Sequence, residues 1–585
     1  MSPTAAAGTL PARTVQVRWD GGTGRSGPVT MGQANMIRCM LRDDPAQINI
    51  HAVWPVPAGV AQDEVVDALR ALVLRHEALR TTFPAPDEQI VAPDGAFGLE
   101  VRDHGAADGE PAGLAGLAEL VAQDARSDRF HLDRDFPLRV TLMTHDGVPR
   151  HLALAASHAA VDAGALVVLR DEWTALLAGD GQPGGPAVAP IDIAVDERSP
   201  AGQRRSAAAL RHWERVLRTA PQEMFAEPRE SSATAGAPVD VATPELSIHS
   251  LRAGRALAAA AARTGSPAQT VLLAAWCVLV GHRAGQRSCV VATPTANRHS
   301  SALAHAVTPL SQDALLRLDL GDDGFDAVLR RTWGAALDAY RHSRFDSARL
   351  WDLIEQVTHE RGSRFARDVV LNDVSSMTGT PDDEAHPELE LGWGPEQDLP
   401  TSALTFVHAV EPALRMSVRL DPRLFDRREA EGLVLGLVRL LEAVALADVP
   451  CDRLADVTGV RTLDRGEEWR QVDGCWVHLP TATATVTKAV TKALADGRGS
   501  GPRPLVHVTV DDSRITAYVA GIGAACTVRQ VHRAVMDVVP GRPGTLAPHR
   551  YVIVTDPPER PHDTDAWRAL PVIDEGSGRD PAVTA

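Results

Sequence analysis

Proton-transfer chemistry at neutral pH most often uses histidine, because its ordinary pKa of about 6.5 lets the imidazole take or give a proton there. A histidine followed four residues later by an aspartate occurs five times in this chain: His104/Asp108, His131/Asp135, His158/Asp162, His342/Asp346 and His507/Asp511. With 21 histidines some such pairs arise by chance, so the spacing alone carries little information and context must decide. His104-Gly-Ala-Ala-Asp108-Gly109 fits an HxxxDG string best, yet a Gly/Ala loop offers nothing to fix a catalytic ring. His131 and His342 lie in charged, turn-like stretches, and His507 and Asp511 share one face of an exposed strand. Only His158 follows an apolar strand, His151-Leu-Ala-Leu-Ala-Ala-Ser157, and precedes a helix. The end of a strand is rigid on one side and open on the other, which suits a catalytic base. The competing reading of His158 is a hydrogen-bonded core histidine.

Other chemistries are poorly supplied. All but two of the 59 basic side chains are arginine, so Lys488 and Lys492 are the only candidates for lysine chemistry. GxxxxGK[ST], GxSxG and HExxH strings are absent. The six cysteines, at 39, 277, 289, 451, 475 and 526, form no CxxC pair, which argues against a zinc ribbon or dithiol motif, and no metal site is expected. Cys277 and Cys289 fall in apolar runs and read as buried thiols. A net charge of −17 argues against nucleic acid as a partner. The first 20 residues lack the apolar segment of a signal peptide, and no run of about 18 apolar residues occurs, so a cytoplasmic protein with no membrane partner is expected.

The elements that must position these residues can be read from periodicity. A length of 585 residues suggests about four domains, as a soft prior. Apolar spacing predicts helices over 61–75, 164–178, 203–218 and 427–446, and an Ala-rich helix pair over 251–283 broken at Gly265-Ser266-Pro267. Strands are predicted at 138–156, turning at Asp146-Gly147, and at 289–294 and 413–420. The Gly/Pro-rich stretch 178–190 is a plausible linker, and 227–240 reads as a low-complexity loop. Composition shifts after about 450, where Leu505-Val-His-Val-Thr-Val510, Arg514-Ile-Thr-Ala-Tyr-Val519 and Arg550-Tyr-Val-Ile-Val554 read as strands of a smaller module.

Several segments, in order, resemble the condensation domain of nonribosomal peptide synthetases, a branch of the chloramphenicol acetyltransferase-like acyltransferases. Arg75-His-Glu-Ala-Leu-Arg-Thr-Thr-Phe83 is similar to the family's RHExLRTxF motif at every fixed letter, and Met31-Gly32-Gln33 to its first motif. Phe130-His-Leu-Asp-Arg-Asp-Phe-Pro-Leu-Arg139 resembles the stretch before the active-site strand, and Ser157-His-Ala-Ala-Val-Asp-Ala163 falls where HHxxxDG belongs. Ala274-Ala275-Trp276, Val290-Val-Ala-Thr-Pro-Thr-Ala-Asn-Arg298 and Asp421-Pro-Arg-Leu-Phe425 resemble segments of the second lobe. The resemblance covers about 29–448.

It implies an α/β (α+β) fold: two chloramphenicol acetyltransferase-like lobes in a V-shaped pseudo-dimer, plus a small C-terminal α+β domain. The implied boundaries are an extension at 1–28, an N-lobe at 29–185, a C-lobe at 186–450 and the C-terminal domain at 460–585. It further implies that His158 is catalytic, that Asp162 pairs structurally with Arg298, and that Ser157 and Ala163 line a tunnel. Ser157 stands for the family's first histidine and Ala163 for its glycine. The second-lobe motif VGxFVNT is faint in Val307-Thr-Pro-Leu-Ser-Gln-Asp313. The implied substrate is an acyl thioester on the phosphopantetheine arm of a carrier protein acting in trans, with no cofactor bound by the chain itself and an amine or hydroxyl as acceptor. Arg204, Arg205, Arg211 and Arg215, with Arg218, cluster on one predicted helix, either as a solvated face or as a docking patch for an acidic carrier. The implied function is that of a freestanding condensation enzyme of natural-product biosynthesis. The alternatives are an acyl-CoA-dependent acyltransferase or epimerase of the same fold, or a catalytically silent recruitment module. Residues 514–519 and 548–557 resemble the small C-terminal subdomain of adenylate-forming enzymes, but Arg560-Pro-His-Asp-Thr-Asp565 stands where that subdomain carries its lysine, so adenylation is not expected.

Overall fold

Asp146 and Gly147 both adopt positive φ, 50° and 77°, as a two-residue hairpin turn requires. They join Leu138–His145 to Val148–Ala156, two of the three inner strands of a five-stranded sheet. Its order is Ala12–Trp19, Gly95–His104, Leu138–His145, Val148–Ala156, Ile50–Pro55, antiparallel except between the second and third. Alternation along Val148–Ala156 serves two layers. Leu152, Leu154 and Ala156 join one core with residues of helices Gln62–Arg75 and Ala163–Ala178. Ala153 joins Met143 against helix Leu114–Ser127 on the other side. A three-stranded sheet, Arg25–Pro28, Glu88–Val91, Thr81–Ala85, completes this region.

The computed structural model describes residues 12–105, 113–181, 187–226, 241–377, 386–496, 504–522, 526–539, 542 and 544–579. The predicted loop 227–240, part of the linker at 178–190, and Asp108 and Gly109 lie outside them. The chain packs as two compact units. The first comprises residues 1–209, 295–312 and 342–349; the second comprises 210–294, 313–341 and 350–585. The first therefore runs past the linker stretch, through helix Pro190–Arg198 and into helix Pro200–Thr219.

In the second unit a seven-stranded sheet runs Gln312–Asp319, Ser288–Thr295, Val369–Asp373, Ala403–Ala409, Leu414–Leu420, Val241–Ser250, Glu390–Leu399. The Ala-rich helix pair is Leu251–Thr264 and Ala268–Ala284, broken as expected at Gly265, whose φ of 65° closes the first helix. The pair bends by 104°, and almost every residue from Val271 to Ala284 is buried in the protein. Among the described residues no single helix is long and apolar enough to cross a membrane. Cys277 and Cys289 are both buried, and a hydrogen bond with Cys277, reinforced by burial, holds the Cys289 thiol well above its ordinary pKa.

The C-terminal part is a hairpin, Trp469–Val472 with Cys475–His478, and a four-stranded sheet ordered Leu505–Asp511, Arg514–Ala520, Arg550–Val554, Val572–Gly576. Helices Leu479–Asp496 and Val528–Met536 cover one face, and Trp567 lies in a smaller core on the other. This part is seated on helix ends of the same unit. Arg361 donates to the Leu217, Ala220 and Asp473 carbonyls, Trp476 Nε1 donates to the Gly285 carbonyl at 3.0 Å, and the Gln222 amide reaches Cys475 Sγ at 3.4 Å. Gly362, at φ 68°, lies so close to Ala547 that a side chain there would collide with it.

Candidate active site

The site is built from the end of strand Val148–Ala156. Ser157 N donates to the Pro137 carbonyl at 3.0 Å, and Ala160 N and Val161 N both return to the Ser157 carbonyl, closing a tight turn. Small side chains make this turn possible: Ala159, Ala160 and Val161 are fully buried. From Leu152 to Asp162 every residue is buried except His158, which is half-buried. Its Nδ1 is sealed from solvent and makes no hydrogen bond of ordinary geometry, although the backbone at His158 and Val161 lies close enough to favour the charged ring slightly. That leaves Nε2 as the ring nitrogen a reactant can meet. Burial pushes the imidazole below its ordinary pKa, against the opposing pull of Asp162, and so favours the neutral ring.

Asp162 is 1% exposed and its carboxylate is saturated. Oδ1 accepts from Ala165 N at 2.8 Å, capping helix Ala163–Ala178, and from Arg298 Nη2 at 2.7 Å. Oδ2 accepts from Arg298 Nη1 at 3.0 Å, Leu310 N at 2.8 Å and Ser311 N at 3.0 Å. A carboxylate holding five donors has no lone pair left for a second proton transfer. Arg298 also donates to the Ala296, Ala306 and Thr308 carbonyls. The predicted pairing of Asp162 with Arg298 is present, bidentate and buried.

The remaining predicted residues fall as follows. Ser157 is 2% exposed and turns its hydroxyl to the Met40 sulfur at 3.6 Å rather than to open space. Ala163 is exposed. The glycine that matters to the ion pair is the next residue: a Cβ on Gly164 would stand 2.6 Å from Arg298 Nη1. The arginine helix is not a bare basic face. Arg205 pairs with Asp196 at 2.6 Å, Arg215 with Asp338 at 2.9 Å, and Arg218 with Glu214 and Glu360. Arg204 and Arg211 are exposed with no ion pair among the described residues.

The family-like motifs turn out to be supports. Arg75 and His76 both bind Glu172, at 3.0 and 2.7 Å, and so lock helix Gln62–Arg75 to the helix that Asp162 caps. Arg80 donates to the Thr23 and Ala92 carbonyls. Arg139 donates to the Ala125, Asp128 and Arg129 carbonyls with its guanidinium 3.9 Å from the centre of the Phe130 ring. Gly32 gives the Pro309 carbonyl room, since a Cβ there would collide with it, and thereby seats the 307–311 segment. Gln312, in place of the family's asparagine, makes a two-point clamp with the Phe345 backbone at 2.9 and 3.2 Å. Sequence reasoning missed Glu172, Gly164 and the Leu310 and Ser311 amides. Gly164 had a visible signal, a glycine directly after the Asp-Ala step; backbone amides have none.

A family model described as a condensation domain matches residues 28–458. The phosphinothricin tripeptide synthetase PhsC of Streptomyces viridochromogenes is 32% identical over 263 residues, 43% of this chain and 23% of that protein. The chondramide synthase cmdD of Chondromyces crocatus is 26% identical over 348 residues, 57% of this chain and 9% of that protein. The chain thus spans less than a quarter of the length of these two relatives. Among solved structures, SgcC5 from Streptomyces globisporus has a TM-score of 0.56 at 22% identity, covering 72% of this chain and 100% of its own. The X-domain solved with OxyB from teicoplanin biosynthesis has a TM-score of 0.55 at 20% identity, covering 75% and 96%. At these identities the structural likeness is one of fold. Because the matching family model spans most of the chain, this chain belongs to the condensation-domain family of nonribosomal peptide synthetases and has its chloramphenicol acetyltransferase-like α/β fold.

Proposed function

We propose that the protein transfers an acyl or aminoacyl group from a carrier-bound phosphopantetheine thioester to an amine or hydroxyl, with His158 as the base. The observation that carries this reading is that His158 alone breaks a buried run of eleven residues, with one ring nitrogen sealed and the other left for a reactant. Nε2 accepts the proton of the nucleophile as it attacks the thioester carbonyl. The tetrahedral oxyanion then collapses, the C–S bond breaks, and the proton passes to the departing thiolate. A neutral ring is the form this requires, and burial favours it. Asp162 and Arg298 fix the turn and take no proton. The carrier acts from outside these 585 residues, which hold no LGGxS-type serine motif.

A second reading, recruitment without turnover, is favoured by Ser157, which replaces a histidine and is spent on Met40. One experiment separates them. The protein is incubated with acyl-loaded carriers and candidate acceptors, and acyl loss is followed by intact-protein mass spectrometry for wild type and His158→Ala. Turnover lost in the variant supports acyl transfer. Equal loss in both removes His158 from the chemistry. Carrier binding without turnover by either supports recruitment.

A further inference from the structure

Asn297 is 3% exposed and holds a φ of 54°, in the left-handed region that asparagine tolerates better than most residues. Its amide is heavily used. Nδ2 donates to the Leu310 carbonyl at 2.9 Å and to the Ser343 carbonyl at 3.0 Å, and Oδ1 accepts from Ser343 Oγ at 2.7 Å. Two of Asp162's partners depend on this joint. The next residue in the chain is Arg298, and Leu310, held at its carbonyl by Asn297, donates its own N–H to Asp162. Ser343 lies in the segment whose Phe345 is clamped by Gln312, so the 307–312 segment is tied to 343–345 at two points.

We propose that Asn297 is a positioning residue: its buried amide ties Leu310 to Ser343 and thereby sets the arginine and the backbone amide that hold Asp162 beside His158. A glycine would satisfy the left-handed backbone equally well. A purely conformational role therefore predicts that Asn297→Gly behaves as wild type, whereas the proposed role predicts a loss.

The inference builds on the reading of His158 as base, so its test uses a readout that does not need turnover. Asp162 is the ionised side chain that acts on the His158 ring among the described residues, and Arg298 is its counter-charge. If Arg298 drifts, the carboxylate's field on the imidazole is less compensated and the ring holds its proton to higher pH. Full-length protein is labelled with ¹³C at histidine Cε1, the His158 signal is assigned by its loss in His158→Gln, and its titration is followed. Asn297→Gly is expected to raise the midpoint by ~0.5 pH unit, Ser343→Ala by less, and Arg298→Ala by at least as much as Asn297→Gly. In the acyl-transfer assay Asn297→Gly is expected to lower kcat roughly tenfold, with KM unchanged within about twofold. Superimposable His158 titrations for folded Asn297→Gly and wild type overturn the proposal, as does an unmoved midpoint in Arg298→Ala. Should Asn297→Gly fail to fold, Ser343→Ala, which removes one hydroxyl, decides the matter alone. A shifted titration in a protein that transfers no acyl group leaves the positioning role standing and sinks the base.

Discussion

Two histidine–aspartate pairs in this chain share one spacing and sit in opposite surroundings. His158 and Asp162 span a strand-to-helix turn, where the aspartate is bound by Arg298 in a buried bidentate pair, with side-chain exposures of 1% and 9%. His507 and Asp511 lie along strand Leu505–Asp511, where His507 bonds Thr564 and stacks on Trp567. Asp511 also has an arginine, Arg568, at 2.7 Å, but both side chains are about half exposed, at 48% and 47%. The letters are the same; burial separates a site from a surface. A charge pair removed from water must be fully satisfied, so the first pair constrains everything around it, while the second is screened and holds little.

The largest expected difference is chemical. His158→Ala is expected to lower acyl transfer by about 10²–10⁴-fold, the range typical of a lost general base, while His507→Ala leaves the rate at wild-type level; single-turnover assays with loaded carrier check both. Next comes stability. Arg298→Ala leaves a buried aspartate without its counter-ion and is expected to cost about 3–5 kcal/mol in denaturant titrations, whereas Arg568→Ala leaves the unfolding midpoint where it was. Asp162→Asn follows Arg298→Ala, losing fold before chemistry. A finer contrast separates two neighbours. Gly164→Ala drives a methyl against a pinned guanidinium and is expected to cost about 1–3 kcal/mol, while Ala163→Gly on an exposed position changes stability by less than ~1 kcal/mol. The smallest effect is in pH. Burial favours the neutral His158 ring by lowering its pKa from the ordinary imidazole value of about 6.5, and the neutral ring is the form the proposed base requires. The acid limb of kcat/KM is therefore expected below 6.5, and an acid limb above that value counts against His158 as the base.

These pairs also show what a sequence makes legible. The strand before His158, the helix after it and the Gly265 break are periodic signals and are readable as such. The motif Arg75-His-Glu-Ala-Leu-Arg-Thr-Thr-Phe83 is readable as a likeness, but its work is hidden, because Glu172, which Arg75 and His76 grip, lies almost a hundred residues away. The five donors on Asp162 were mostly invisible: three are backbone amides, which any residue carries. Strand Glu390–Leu399 was also missed. Its sequence, with Gly392, Gly394 and Pro395, is poor in β-formers, and its position at the sheet edge with an irregular register at Trp393/Glu396 lets it pair regardless.

The seating of the C-terminal part on helix ends has a consequence for how this protein comes apart. Arg361 of the lobe donates to the Asp473 carbonyl of the C-terminal hairpin, and Trp476 of that hairpin fills the Gly285 carbonyl at a helix end of the lobe, so each side of that junction completes the other's hydrogen bonding. Pulling away the residues from the first C-terminal hairpin onward, Trp469–Val472 with Cys475–His478, would strip the Gly285 carbonyl of its Trp476 donor and Arg361 of its Asp473 acceptor. The junction makes those residues and the lobe beneath them a single cooperative body, with heat or denaturant dissolving both together.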